Sequence, residues 1–145
     1  MDHARTEDSP TEQNTHRAVD PELCGRPLEL APGFSRVELV PSERMAADER
    51  GLVHGGFPFG LADYAAMLAV NDPLVVLAAA EVRFLRPVQV GERLVAEARV
   101  DNGDDSASDP MKPQVEVVVQ RDGVPVLTGA FRCYVPENHV LERDV

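Results

Sequence analysis

Between Phe57 and Val70 the chain reads FPFGLADYAAMLAV, and apart from Asp63 and the Tyr64 hydroxyl no side chain there carries a polar group. Ala, Leu and Met favour helix, and Pro58 is tolerated in a first turn, where its missing N–H would be unpaired anyway. Asn71 followed by Asp72-Pro73 supplies the stop. The stretch predicts a helix of about three to four turns over most of Phe59–Val70. A helix apolar on all sides is buried on all sides. At this length it falls short of the roughly 20 residues that span a bilayer, so protein must wrap it.

The wrapping has to come from strands. Phe34–Val40 reads as a first strand ended by Pro41, after a Pro21–Leu30 segment with room for a short helical turn before Pro32-Gly33. Beyond the helix, Leu74–Arg86 is rich in valine and alanine and stops at Pro87. Glu92–Val100 alternates, with Leu94, Ala96, Ala98 and Val100 on one face. Asp101–Pro113 is a Gly/Asp/Ser/Pro loop, Gln114–Gln120 alternates again, and Arg121-Asp122-Gly123 makes a hairpin turn into Val124–Val135. Three strands joined by plain loops form an antiparallel meander. The expected fold is α+β: a curved antiparallel sheet around one long apolar central helix. Such a sheet leaves an edge open, and pairing that edge with a second copy predicts a homodimer or a homotetramer.

At 145 residues, 43% of them hydrophobic, the chain suits one packed domain. Aromatics make up only 5% and Trp is absent, so valine and alanine must fill the interior. Residues 1–20 are polar and charged without apolar periodicity and read as a disordered acidic tail, leaving 21–145 as the domain. A net charge of −11 excludes a nucleic-acid partner of the usual kind, which needs surplus Lys and Arg. The N-terminal residues hold no apolar core of a signal peptide, and no apolar run approaches membrane-spanning length. Cys24 and Cys133 fit no metal spacing and read as free thiols in a reducing compartment. The expectation is a cytoplasmic protein with no membrane partner, no metal and no cofactor of its own.

The chemistry concentrates at the helix. His54-Gly55-Gly56 precedes it, and Asp63 follows Gly56 by seven residues, close to two full turns, so it projects from nearly the same side as the glycines. Glycine N–H groups at a helix start are free donors at the positive end of the dipole, able to hold an anion or a carbonyl oxygen becoming an oxyanion. A carboxylate nearby supplies a nucleophile or general base for acyl transfer. Dipole stabilisation fades beyond the first turn, so Asp63 lies too far along the helix to be explained as its capping charge. An acid in so apolar a helix costs several kcal/mol unless something requires it.

The run His54-Gly55-Gly56 with Asp63 nine residues after the histidine resembles the HGG…D signature of the phenylacetyl-CoA type of hotdog thioesterase. The likeness extends through Glu81–Pro87 and Gly91-Glu92, and covers about Phe34 to Val135. It implies the hotdog fold and hydrolysis of an acyl-CoA thioester, CoA arriving as part of the substrate. By that resemblance Gly55 gives the N–H that polarises the thioester carbonyl, and Asp63 attacks the carbonyl or activates water. His54 would anchor the loop, and the oxyanion donor and the carboxylate would come from different subunits. Gly56, Arg83, Arg86 and Arg93 are the candidate substrate-binding residues, the arginines as partners for CoA phosphates. The sequence departs from the signature at the bulky, rigid Phe57-Pro58, so the shape of the acyl pocket does not carry over. A second likeness, in Arg83–Arg86, Val90–Arg93 and Val95–Val100, is to the malonyl-CoA-binding effector domain of the bacterial fatty-acid-synthesis repressor. It keeps open the alternative of a non-catalytic acyl-CoA-binding module. That domain has Asn where this chain has Asp63, and the carboxylate favours catalysis. A hotdog dehydratase is a weaker third option, since those enzymes rely on a histidine and an acid in another spacing.

Overall fold

The structure, a computed structural model, describes residues 11–101 and 109–142. Its elements in chain order are α1 (Pro21–Cys24), β1 (Arg26–Ala31), β2 (Phe34–Leu39), α2 (Gly56–Val70), β3 (Val76–Phe84), β4 (Leu94–Asp101), β5 (Gln114–Arg121) and β6 (Val124–Tyr134). The six strands form one antiparallel sheet in the order β1-β2-β4-β5-β6-β3. The sheet wraps α2, which is the hotdog arrangement expected from the sequence. No described helix is long and apolar enough to cross a membrane.

Register explains how the sheet receives the helix. Val37, Ala96, Val119 and Leu127 stand opposite one another across β2, β4, β5 and β6, and all four are at most 1% exposed. Alanines at 96 and 98 face a helix that offers Ala62, Ala65, Ala66 and Ala69, so sheet and helix approach closely, as close packing of interiors requires. Ser35 is fully buried, and its hydroxyl donates to the Ala65 carbonyl at 2.6 Å, which ties β2 to the helix backbone. Leu61, Met67 and Leu68 are at most 1% exposed, and removing any one of these side chains would cost about 2–5 kcal/mol.

The wrap is incomplete on one side. α2 packs on β2, β4 and β5 and hardly touches β3. Phe57, Phe59, Gly60 and Asp63 are only half-buried, in a helix whose composition called for burial all round. The inner face of β3 is only partly covered: Val82 packs against the core, but Ala80 and Phe84, which pair with the buried Phe131 and Leu127 and so face the helix side, are exposed.

Two sequence expectations change. The segment from Thr11 to Asp20, read as part of a tail, is seated on the C-terminal end of α2, while residues 1–10 lie outside the described residues. Thr15 is 5% exposed there, and the Gln13 amide donates to the Tyr64 hydroxyl at 3.1 Å. Its polar side chains are spent on the protein, which composition does not reveal. The Pro21–Leu30 segment is a single helical turn followed by an additional strand, β1, hairpinned to β2 through Pro32-Gly33. Pro27 argues against a central strand but not an edge strand, and β1 is an edge. The 101–113 loop falls largely on residues 102–108, outside those described.

Candidate active site

The segment leading into α2 is fixed by backbone hydrogen bonds. Val53 N–H donates to the Val88 carbonyl at 2.8 Å, and His54 N–H to the Met45 carbonyl at 2.9 Å. Helix starts leave amides without partners, and here the first ones are used locally. Gly56 N–H donates to His54 Nδ1 at 2.9 Å and Phe57 N–H to the His54 carbonyl at 3.1 Å, while Pro58 has no N–H. An Nδ1 that accepts must be unprotonated, so the neutral His54 ring carries its proton on Nε2. A Cβ on Gly56 would stand 2.9 Å from that Nδ1, so a side chain there would have to displace the His54 ring from its hydrogen bond. Gly55 N–H alone among these amides has no hydrogen-bond partner among the described residues. The donor available to a ligand is thus Gly55; the Gly56 amide belongs to His54.

Asp63 is two turns further on. It follows Phe59 by one turn, and the Phe59 ring lies 5.6 Å from that of Phe131 on β6, so both side chains lie on the β6 side of α2. The carboxylate Oδ1 is buried and has no hydrogen-bond partner, whereas buried polar atoms normally have one. Burial pushes the Asp63 carboxyl up to about 6. Two free thiols sense its charge. Burial, with a smaller contribution from Asp63, pushes Cys133 up to about 12, and Cys24 is raised in the same way by burial and then by Asp63. Neither thiol was singled out by the sequence, which shows their type but not their place beside the acid.

Gly55 and Asp63 do not meet within one chain. Eight residues of helix separate them by about 12 Å along the axis. Each opens onto a surface instead. Gly55 edges a cleft of about 310 Å³ lined by Val53, Pro58, Phe84, Leu85, Pro87 and Val126. Asp63 is half-buried, and its charge reaches Cys133 on β6 and Cys24 on α1.

The candidate arginines scatter. The Arg86 guanidinium lines the cleft but donates to the Pro125 carbonyl. Arg93 pairs with Glu38 at 2.6 Å, on the side of the sheet away from the cleft. Arg83 is exposed on β3, with no polar side-chain partner among the described residues. Its register opposite Thr128 places it on the outer face of the sheet, away from α2. Phe84, which the sequence reading passed over as part of a strand end, stands directly against Gly55.

One long helix wrapped by a six-stranded antiparallel sheet is the hotdog fold, and here it carries a glycine turn at the helix start and an acid within the helix. The model of the thioesterase superfamily matches residues 50–106, which hold the glycine turn, all of α2 and β3. An uncharacterised protein of Pyrococcus horikoshii is 51% identical, with 92% of this chain and 99% of that one aligned at a TM-score of 0.86. The thioesterase match covers 57 of the 145 residues, and over that segment the chain is similar to the superfamily. A point mutant of the phenylacetic acid degradation protein PaaI from Thermus thermophilus is 28% identical over 79% of this chain and 95% of that one, with a TM-score of 0.69. Transcription factor FapR of Bacillus cereus is 32% identical over 88 residues, covering 61% of this chain and 43% of FapR. A methylthioribose-1-phosphate isomerase of Aquifex aeolicus is 55% identical over 86 residues, covering 59% of this chain. The chain spans only 19% of that isomerase and less than half of FapR, so it matches one portion of each.

Proposed function

We propose that the chain hydrolyses an acyl-CoA thioester as a homodimer, with each active site shared between subunits. The observation that carries the reading is the buried Asp63 Oδ1 without a partner, on a helix face that the chain itself leaves uncovered. A carboxylate held in that state costs several kcal/mol, and a substrate or an attacking water would supply the missing hydrogen bond. A reacting carbonyl needs its donor and its attacking group at about 3–3.5 Å, which one chain cannot offer across the helix. A second copy paired along the β3 edge would cover Ala80 and Phe84 and set Asp63 of the partner subunit toward Gly55.

In that arrangement Gly55 N–H donates to the thioester oxygen and stabilises the negative charge it gains. The Asp63 carboxylate takes a proton from water as the water oxygen bonds to the carbonyl carbon. The C–S bond then breaks with its electron pair leaving on sulfur, and the proton held by Asp63 passes to that thiolate. The products are a carboxylic acid and the CoA thiol. Direct attack by the carboxylate, followed by hydrolysis of the anhydride, uses the same groups. The likeness to PaaI points to aryl-acetyl substrates, and the two free thiols suit a cytoplasmic setting.

The likeness to FapR supports a second reading, an acyl-CoA-binding module without turnover. Single-turnover hydrolysis of aryl, short, medium and long acyl-CoAs by the wild type and Asp63→Asn separates the two. The amide keeps the shape and removes the base, so turnover falls by about 10²-fold or more while binding changes little. Equal rates in the two proteins would remove Asp63 from the chemistry.

A further inference from the structure

Phe84 ends β3 with its ring on the concave side of the sheet, opposite the fully buried Leu127, yet the residue is 56% exposed. An exposed phenylalanine beside a cleft needs a reason. The nearest heavy atoms to a Cβ built on Gly55 are all in this ring, at 3.3, 3.7 and 3.8 Å. The ring edge therefore fills the side of Gly55 where a side chain would go, while the Gly55 N–H keeps no partner. Gly55 has φ −58°, a conformation open to every residue, so its backbone does not demand glycine. The space does.

The rest of the cleft narrows the choice of occupant. Its walls are aliphatic, proline and phenyl, and its one charged member, Arg86, is tied to the Pro125 carbonyl. The free donor at its edge is the Gly55 amide. A carbonyl oxygen flanked by uncharged chain fits this arrangement; a phosphate does not.

We propose that Phe84 is a positioning residue: its ring is the wall that holds the uncharged chain flanking the thioester, and so keeps the carbonyl on Gly55 N–H. This rests on the acyl-CoA reading above. It assigns Phe84 a part in binding and orientation and none in the bond changes. Orientation of this kind governs how often bound substrate is poised to react.

The test is a double-mutant cycle in the full chain on Gly55→Ala and Phe84→Ala, with Phe84→Tyr as the conservative variant. Alanine at 55 keeps the N–H and only crowds the ring. Kd for a non-hydrolysable acyl-CoA thioether, and kcat and KM for phenylacetyl-CoA, are read together with sedimentation. Losing the wall raises Kd and KM about tenfold in Phe84→Ala with kcat within about threefold, while Phe84→Tyr restores both. Gly55→Ala lowers kcat/KM about tenfold, and the double variant loses no more than the worse single one, because the new methyl then has room. Unchanged Kd and KM in Phe84→Ala, or losses that multiply, would overturn the proposal. So would dissociation of Phe84→Ala into monomers, which would make Phe84 an assembly residue. A wild type that binds the thioether with this same pattern but hydrolyses nothing would leave Phe84 in place and sink the enzymatic reading alone.

Discussion

At its C-terminal end α2 is closed by its own chain, whereas at its N-terminal end a donor is left over. Asn71 takes a left-handed conformation at φ 56° and donates its N–H to the Met67 carbonyl. Its side chain accepts from Asn14 N–H at 2.8 Å and donates to the Glu12 carbonyl at 2.7 Å, a reciprocal clamp on the N-terminal segment. Gln13 completes the closure on Tyr64. At the other end the chain spends the Gly56 and Phe57 amides on His54 and leaves Gly55 uncommitted. The first end is tied down by its own chain, and the second leaves one amide without a partner among the described residues.

The comparison breaks most visibly at Gly55. Its φ of −58° suits proline, so Gly55→Pro removes the N–H, and Gly55→Ala adds similar bulk nearby while keeping it. Proline should lower kcat by about 10²–10³-fold relative to alanine, the usual cost of losing an oxyanion donor. Steady-state hydrolysis of phenylacetyl-CoA checks this. A shared site adds a sharper version: co-refolding Gly55→Pro with Asp63→Asn should restore about a quarter of the sites, because half of the dimers are mixed and each mixed dimer has one intact site. No recovery would place both groups in one subunit's site.

A smaller effect lies in the pH dependence of stability. Burial holds the Asp63 carboxyl at about 6, above the 3.8 of an exposed aspartate. Between these values the folded chain keeps a proton that the unfolded chain has released. Stability from this group is therefore complete below about pH 4, declines as pH rises, and levels off above pH 6, at most about 3 kcal/mol lower. Asp63→Asn removes the decline, so its advantage in denaturant midpoint should grow from pH 4 to pH 7. A constant advantage would mean that Asp63 is well solvated or paired.

The smallest effect belongs to the closed end. Asn71→Gly keeps the left-handed cap and removes the clamp, at a cost of about 1 kcal/mol; Asn71→Ala adds roughly 1 more for the backbone. Thermal melts read both, and kcat stays as in the wild type. If kcat fell with them, the closed end would belong to the site as well.

The helix was legible because fourteen nearly apolar residues in a row admit few structures, β4 and β5 because alternation marks strands with one buried face, and β6 because the Arg121-Asp122-Gly123 turn announces a returning strand. β1 was not. Pro27 and an exposed Leu28 blur its pattern, as befits an edge. The seating of residues 11–20 escaped because Gln13 and Asn14 find their partners 51 and 57 residues away, and polar side chains carry no periodic trace of that. At the site, motif spacing brought out His54, Gly55 and Asp63. It could not show that His54 consumes the Gly56 amide, that Arg86 and Arg93 are engaged within the chain, or that Phe84 crowds Gly55. Those facts depend on register and rotamer, which local sequence leaves open.

The two borders of the sheet also differ, and that sets how far copies of this chain can add on. Both border strands carry a register shift against their neighbours, between Pro27 and Glu29 in β1 and between Leu77 and Ala79 in β3, but only β1 contains a proline, which offers no N–H to a newcomer. Along β3 the strand runs Val76–Phe84 without a proline, its small Ala78, Ala79 and Ala80 presenting bare backbone. A molecule with one adhesive border and one blunt border joins a single neighbour by strand pairing and then stops. Two adhesive borders would instead propagate into a fibre. In the dimer proposed above, the proline at 27, far from any chemistry, would act as a terminator that keeps growth finite.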